Sequence, residues 1–492
     1  MECFDKDLQS IQETRNLIAA AKKAYEKLAV MSQSEIDRIV AAISDAAYES
    51  AQMLAEAACE ETGFGRAADK TIKNEFAAAT LYEAIKNEKT VGIIAEDHSK
   101  KTIDIGIGVG VIAALVPSTN PTSTVIYKTM IAIKSGNAIV FSPHPGAKNC
   151  ILKAVGIVAA AAEKAGCPKG AISAISIPTL EATNTLMRHE DVSLILATGG
   201  AAMVKAAYSS GTPAIGVGAG NGPAYIDQSA DVDLAVRRII HSKDFDYGTI
   251  CASEQSIVIT KAMEAKVTES LKKQGAYLME PGESKKLGKF ILRANFTMNP
   301  AIVGKSVDKL CEMSGLNGVP KGTKVLVARE TGVGMEAVYS HEKLAPILAL
   351  FVEADENACL KRCVEILNFE GAGHTFAIHS ENEAQVKAFA SAVPASRILV
   401  NTSASLGGVG GTTNLFPALT LGCGAVGGSS SSNNIGPLDL INIKRVAFGI
   451  KEIEDIRSAS RKNLSGKSSD IDRMTSEIVG KIVSRVLKQL NM

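Results

Sequence analysis

Ala113-Ala-Leu-Val-Pro117-Ser-Thr-Asn-Pro121 carries an apolar strand pattern into a proline-bounded turn, and a helical pattern follows at 123–135. The same alternation then repeats. Strand 138–141 leads through Ser142-Pro-His-Pro145 to helix 147–165, and strand 171–177 leads to helix 180–189. Strand 194–197 leads through Thr198-Gly-Gly200 to helix 201–209. Short apolar strands alternating with helices predict a parallel sheet wrapped by helices. The turns that follow the strands then share one sheet edge, where open α/β folds bind ligands. Thr198-Gly-Gly200, opening a helix, offers free N–H groups and a positive dipole end to a pyrophosphate. Each such turn taken alone is equally the ordinary geometry of a strand passing into a helix.

Working outward, residues 7–62 keep a helical spacing, with Ser32 or Ser34 capping the second helix and Gly63-Phe-Gly65 ending it. A third helix is predicted over 70–87. Residues 102–112 read as strand, and the apolar run 105–116 as buried strand. The glycines inside it are not a phosphate loop, because no helix follows them closely. Residues 213–223 hold so many glycines that close backbone approach to a ligand or a strand is expected. Beyond them come helix 234–242, helix 261–273, strand 347–352 and Glu370-Gly-Ala-Gly-His374-Thr after a helix. Residues 405–436 are rich in Gly, Ser and Asn, and so long an irregular stretch in a compact domain is expected to be functional or interfacial.

The chain has 492 residues, enough for more than one domain with its own core. A net charge of +1, 21% charged residues and no Trp argue against a nucleic-acid or stacking partner. Nine cysteines, an odd count with no CxxC, fit a reducing cytoplasm better than a disulfide framework. Cys359 and Cys363 lie one helical turn apart with no further ligand type nearby, which favours packing over metal. No run of 18 apolar residues predicts a membrane span.

One cysteine differs in its surroundings. In Tyr247-Gly-Thr-Ile-Cys251-Ala-Ser-Glu254-Gln-Ser-Ile-Val-Ile259 a thiol sits between a glycine turn and a β-branched strand. Held there among backbone N–H groups it is a candidate nucleophile, although a lone Cys is more often a small buried apolar residue. At the far end, 462–470 is polar and linker-like. After it Ile471, Met474, Ile478, Ile482, Val486 and Leu490 form an apolar stripe flanked by Val479, Val483 and Leu487. Such an amphipathic helix needs a surface to dock on, in its own oligomer or in a partner.

Cys251-Ala-Ser-Glu-Gln-Ser, Thr198-Gly-Gly, Ala214-Ile-Gly-Val-Gly-Ala-Gly-Asn, Pro117-Ser-Thr-Asn-Pro-Thr-Ser-Thr and Glu370-Gly-Ala-Gly-His-Thr together resemble the CoA-acylating aldehyde dehydrogenases over residues 10–450. They also resemble the aldehyde half of bifunctional aldehyde–alcohol dehydrogenases. No iron-dependent alcohol dehydrogenase half follows, which leads us to expect the monofunctional kind. The resemblance implies two Rossmann-like α/β domains. A cofactor-binding domain would span 1–227, with an oligomerisation strand near 101–112. A catalytic thiol domain would span 228–425, a return and oligomerisation segment 426–461, a linker 462–470 and the tail helix 471–492. It implies that Cys251 attacks a short-chain aldehyde, that Asn120 and the Cys251 N–H hold the oxyanion, and that CoA takes the acyl group. His374 would assist the CoA thiol, or serve as a hydrogen-bonded structural residue. Ser142, Pro143, His144, Thr198, Gly199, Gly200, Val217, Gly218, Glu342 and Leu344 would contact the cofactor, NAD in preference to NADP. Hydrolytic relatives carry a glutamate in a Glu-Leu-Gly-Gly turn as base for the deacylating water. Here Gly216-Val-Gly-Ala219 stands in its place, and without that carboxylate a thiol is the better nucleophile.

The tail resembles the encapsulation peptides of enzymes loaded into bacterial microcompartments. That implies shell or core proteins as partners within the bacterial cytoplasm and propionaldehyde or acetaldehyde as substrate; the dehydrogenase resemblance implies a homodimer or homotetramer, and composition and hydropathy predict no membrane or nucleic-acid partner. Three other readings compete: an acyl-CoA reductase running in reverse, such as succinyl-CoA to its semialdehyde; a glutamate-semialdehyde or γ-glutamyl phosphate reductase; and a non-catalytic shell-assembly protein.

Overall fold

The computed structural model of the chain describes residues 5–490. Its first strands are β1 (Gly92–Asp97), β2 (Thr102–Gly108), β3 (Val111–Val116), β4 (Ala138–Pro143) and β5 (Ile172–Ala174). Next come β6 (Val192–Thr198), β7 (Ala214–Val217), β8 (Pro223–Ile226), β9 (Ser256–Thr260) and β10 (Ala276–Leu278). The rest are β11 (Val325–Arg329), β12 (Ile347–Glu353), β13 (Gly373–His379), β14 (Ala395–Val400) and β15 (Ile441–Ala447).

A five-stranded sheet has the order β5-β4-β3-β6-β7, parallel throughout. The chain steps outward from β3 to β5, then returns to β6 on the other side of β3. The carboxyl ends of β3 and β6 therefore lie side by side where the winding reverses, the switch point at which such sheets bind ligands. Every residue of β3 and β4 is buried, as expected of parallel strands covered on both faces. A seven-stranded parallel sheet has the order β10-β11-β12-β9-β8-β13-β14. Because β8 pairs within it, this sheet already begins before residue 227.

The helical amino-terminal part starts as the spacing predicts. Ser32, not Ser34, caps Gln33–Glu49, in a capping box with Glu35. Gly63, at φ 65°, ends Ala51–Thr62 in the left-handed conformation glycine favours. The expected helix 70–87 begins earlier, at Ala67–Glu75, and passes through a π-helical turn, Phe76–Thr80, to Leu81–Ile85.

Three expectations are corrected. The apolar run 105–116 is two strands, because Gly110, at φ 136°, turns the chain out of β2 and into β3. The strand expected at 171–177 covers only Ile172–Ala174, since the N–H groups of Ser176 and Ile177 donate to the Glu13 carboxylate and not to a neighbouring strand. The segment 462–470, read as a linker, lies inside one helix, Ile453–Leu490. Polarity alone does not break a helix, and no proline interrupts this one.

By compactness, residues 5–92 and 106–443 form one unit, and 93–105 with residues from 444 onward form another. The second holds most of a three-stranded sheet, β1-β2-β15, and the long helix. Within it Arg445 donates twice to Asp104, at 2.6 and 2.8 Å. Met474, Ile478, Val479, Ile482, Val483 and Val486 of the tail stripe are exposed. The side chains of Ile471, Leu487 and Leu490 lie outside the described residues. No helix among the described residues is long and apolar enough to cross a membrane.

Candidate active site

Asn120 ends the turn after β3 and starts the helix Pro121–Lys134, with Pro121 at its first position. An Asn there ordinarily caps the helix with its side chain. Asn120 does not; its Nδ2 donates to the Thr249 carbonyl at 3.2 Å, two residues before Cys251. Its Oδ1 accepts from the Lys73 ammonium. The amide therefore bridges the β3 turn and the Cys251 loop.

That loop is held from several sides. Asp246, Tyr247 and Gly248 all have positive φ, at 47°, 52° and 74°, so the chain coils tightly into the cysteine. Asp246 is fully buried and accepts from Lys70 at 2.9 Å, from Thr249 Oγ1 at 2.6 Å and from Lys73. A Cβ on Gly220 would stand 1.9 Å from the Cys251 carbonyl oxygen, so the 213–223 segment makes the close approach its glycines predict. The Gly220 N–H donates to Glu342 Oε1 at 2.9 Å. Gln255 Oε1 accepts from Lys243 Nζ at 2.8 Å and from the Lys343 N–H at 2.9 Å, tying the base of the loop to the Glu342 segment.

These elements line a cavity of about 440 Å³. Cys251, Asn120, Ser142, Pro143, His144, Thr198, Gly199, Gly200, Val217, Gly218, Glu342 and Leu344 all face it. His374, in contrast, is fully buried in β13 and absent from the lining. Its Nδ1 pairs with Thr375 Oγ1 at 2.9 Å and its Nε2 has no partner among the described residues. Burial pulls its pKa down to about 3, so it is neutral. His374 thus lies outside the cavity lining.

Burial, then the neighbouring Glu342 carboxylate, pushes the Cys251 thiol up to about 12. Burial, then Glu370, pushes Glu342 up to about 8. Burial alone would raise the Asp246 carboxyl, but the Lys73 and Lys70 ammoniums hold it below its usual value. Burial lowers Lys73 to about 8. Lys73 and Asp246 were not singled out in the sequence. Lys70, Lys73 and Asn74 recur on one helix face, yet nothing in their spacing says that they meet an aspartate 173 residues on.

The turn after β6 fits a dinucleotide. The Thr198 hydroxyl is buried without a partner among the described residues, and a Cβ on Gly200 or Gly218 would meet open space. No side chain caps the helix Ala201–Tyr208 that Gly200 starts, so its N–H groups remain for a phosphate. In the turn Gly216–Ala219, a Cβ at Gly216 would press on Val204 at 2.7 Å and Tyr208 at 2.9 Å. The backbone there has no room for the glutamate of the hydrolytic pattern. Glu342 is the single carboxylate on the cavity wall among the described residues.

A thiol presented beside an amide donor, at the switch point of a doubly wound sheet, is the organisation of a thioester-forming oxidoreductase. The chain belongs to the aldehyde dehydrogenase family, whose profile matches residues 7–413. It is 58% identical to the probable aldehyde dehydrogenase from Listeria monocytogenes EGD-e, with TM-score 0.91 over 92% of this chain and 100% of that one. The acetylating aldehyde dehydrogenase from Geobacillus thermoglucosidasius is 50% identical, with TM-score 0.90 over 91% and 99%. The bifunctional aldehyde-alcohol dehydrogenase of Escherichia coli (strain K12) is 44% identical over 443 residues, 89% of this chain and 50% of that protein. The chain thus spans about half the length of the first of its curated relatives.

Proposed function

We propose that the chain oxidises a short-chain aldehyde with NAD and passes the acyl group to CoA. The observation that carries this reading is that Cys251, Asn120 and the Thr198–Gly200 turn share one cavity from which the hydrolytic glutamate is missing. A nicotinamide bound there supplies the hydride acceptor. Cys251, once deprotonated, attacks the carbonyl carbon; Asn120 Nδ2 and the Cys251 N–H stabilise the oxyanion. Loss of hydride leaves a thioester on Cys251. CoA, its thiol proton given up to solvent, adds as the thiolate to that thioester, the same donors hold the second oxyanion, and the Cys251 sulfur leaves as thiolate.

Ile250, Val409, Leu419 and Leu421 on the wall favour a small aliphatic aldehyde. Lys73 is the single lining residue with a formal cationic charge among those described, and it is paired with Asp246. A substrate with a distal carboxylate, such as succinate semialdehyde, therefore finds no spare cation. Propionaldehyde is our preferred substrate and acetaldehyde the second. A propionaldehyde dehydrogenase from the Clostridium phytofermentans fucose utilisation bacterial microcompartment, 27% identical with TM-score 0.80 over 89% of this chain and 98% of that one, supports the first. The Geobacillus relative supports the second. The exposed tail stripe supports delivery to a microcompartment.

The test is NADH formation from propionaldehyde and NAD. One turnover per site without CoA and sustained turnover with it is the expected outcome. Equal sustained turnover without CoA means that water deacylates Cys251 and the reading fails.

A further inference from the structure

Lys73 is buried, only 4% exposed, and lines the cavity, and the thioester chemistry above gives it no part. It reaches Asn120 Oδ1 and Asp246, and lies 3.3 Å from Thr249 Oγ1. Its neighbour Lys70 donates to Asp246 at 2.9 Å and to the Thr119 carbonyl at 2.9 Å. Two lysines thus share the Asp246 carboxylate, and Asp69 adds a second negative charge to the cluster. An ammonium only donates and a backbone carbonyl only accepts. With Lys73 on one side and the Thr249 carbonyl on the other, Asn120 has a single orientation, Nδ2 toward the Cys251 loop.

We propose that Lys73 is a positioning residue for oxyanion stabilisation: it fixes the Asn120 amide with its donor facing Cys251 and places a buried cation behind that donor. As negative charge grows on the substrate oxygen, a hydrogen bond to an amide polarised by the Lys73 ammonium strengthens. Asp246 keeps Lys73 from solvent and in place. The inference rests on the thioester reading above.

The test uses p-nitrophenyl acetate, which forms the same oxyanion and the same thioester without nicotinamide. The Cys251 thiolate adds to the ester carbonyl, the carbon–oxygen bond breaks, and p-nitrophenolate leaves with the electron pair. The burst rate is read in wild type, Lys73→Met, Asn120→Ala and the double variant, with acetylation of Cys251 followed by mass spectrometry. Losing one oxyanion donor costs about 10²–10³-fold in comparable sites. We expect Lys73→Met to slow the wild-type burst about tenfold or more, and to leave the already slow Asn120→Ala burst within about twofold, the signature of action through one partner. Equal slowing in both backgrounds, or none in either, overturns the proposal. Lys73→Gln, which keeps a donor without the charge, runs through the same cycle should Lys73→Met not fold. Iodoacetamide labelling of Cys251 at equal rate in wild type and variants shows that the thiol itself is undisturbed. Absence of any wild-type burst or Cys251 acetylation strikes the thioester reading instead.

Discussion

At the scale of single residues, the cysteine is poised by suppression. Burial, joined above about pH 8 by the Glu342 carboxylate, pushes the Cys251 thiol up to about 12. Alkylation and oxidation act on the thiolate, so a thiol held protonated should react slowly. The thiolate fraction of such a group rises tenfold for each pH unit, whereas an ordinary thiol, near 8.5, levels off. Iodoacetamide labelling of the Cys251 peptide should therefore climb about tenfold per unit from pH 7 to 8 and less steeply from 8 to 9 as Glu342 ionises, with no plateau. Glu342 is raised to about 8, so it bears its charge mainly above that pH. Removing a negative charge favours the thiolate. Glu342→Gln should thus label faster than wild type at pH 9 and nearly equally at pH 7. A plateau below pH 8 in wild type would mean that some group ionises Cys251 at rest.

At the scale of elements, the loop 246–248 stores its geometry in contacts from a helix far away in sequence. Gly65, at φ 74°, lies so close that a Cβ would stand 1.8 Å from Asp246 Oδ1. The Arg66 N–H donates to that same oxygen at 2.8 Å. Gly65→Ala should displace Asp246, lower the melting temperature by several degrees, and cost more activity than stability, since Asp246 holds Lys73 and through it Asn120. A wild-type burst rate with only a lowered melting temperature would sever that link. This is also where reading from sequence reaches its limit. Local patterns located the β-turn-α repeats because each needs only its neighbours, and four of the five quoted motifs contribute cavity residues, while Glu370–Thr375 contributes none. The Asp246 cluster joins residues 66–73 to 246–249 through two left-handed non-glycine residues, and no periodicity encodes such a meeting. His374 was quoted from a motif, but whether it faces the cavity or the core depends on the register of β13, which a motif does not give. The division at Gly110 and the unbroken helix through 462–470 were missed for the opposite reason. There local composition looked uniform, or looked polar, while the backbone followed packing and hydrogen bonding.

At the scale of the whole molecule, apolar surface without a partner is the remaining feature to be explained. In the unit formed by 93–105 and the residues from 444, Ile93, Val446, Phe448 and Ile450 are exposed on or beside a sheet of only three strands. So small a sheet needs further packing to be stable, and a second copy of the chain covering it is our reading. The tail stripe is a separate claim on a separate partner. If the stripe docks a microcompartment protein, deleting 467–492 should leave the number of copies per particle and the CoA-dependent NADH formation of the purified chain unchanged. The same deletion should abolish co-localisation with shell proteins in the cell. If the stripe instead packs on a sister subunit, the deletion lowers the copy number seen by light scattering and exposes the partner face to aggregation. Unchanged copy number together with unchanged localisation would sink both readings. The fusion of 467–492 to an unrelated soluble protein separates them positively, because a targeting helix carries its cargo to the shell with no dehydrogenase present, whereas an oligomer-docking helix has nothing there to bind.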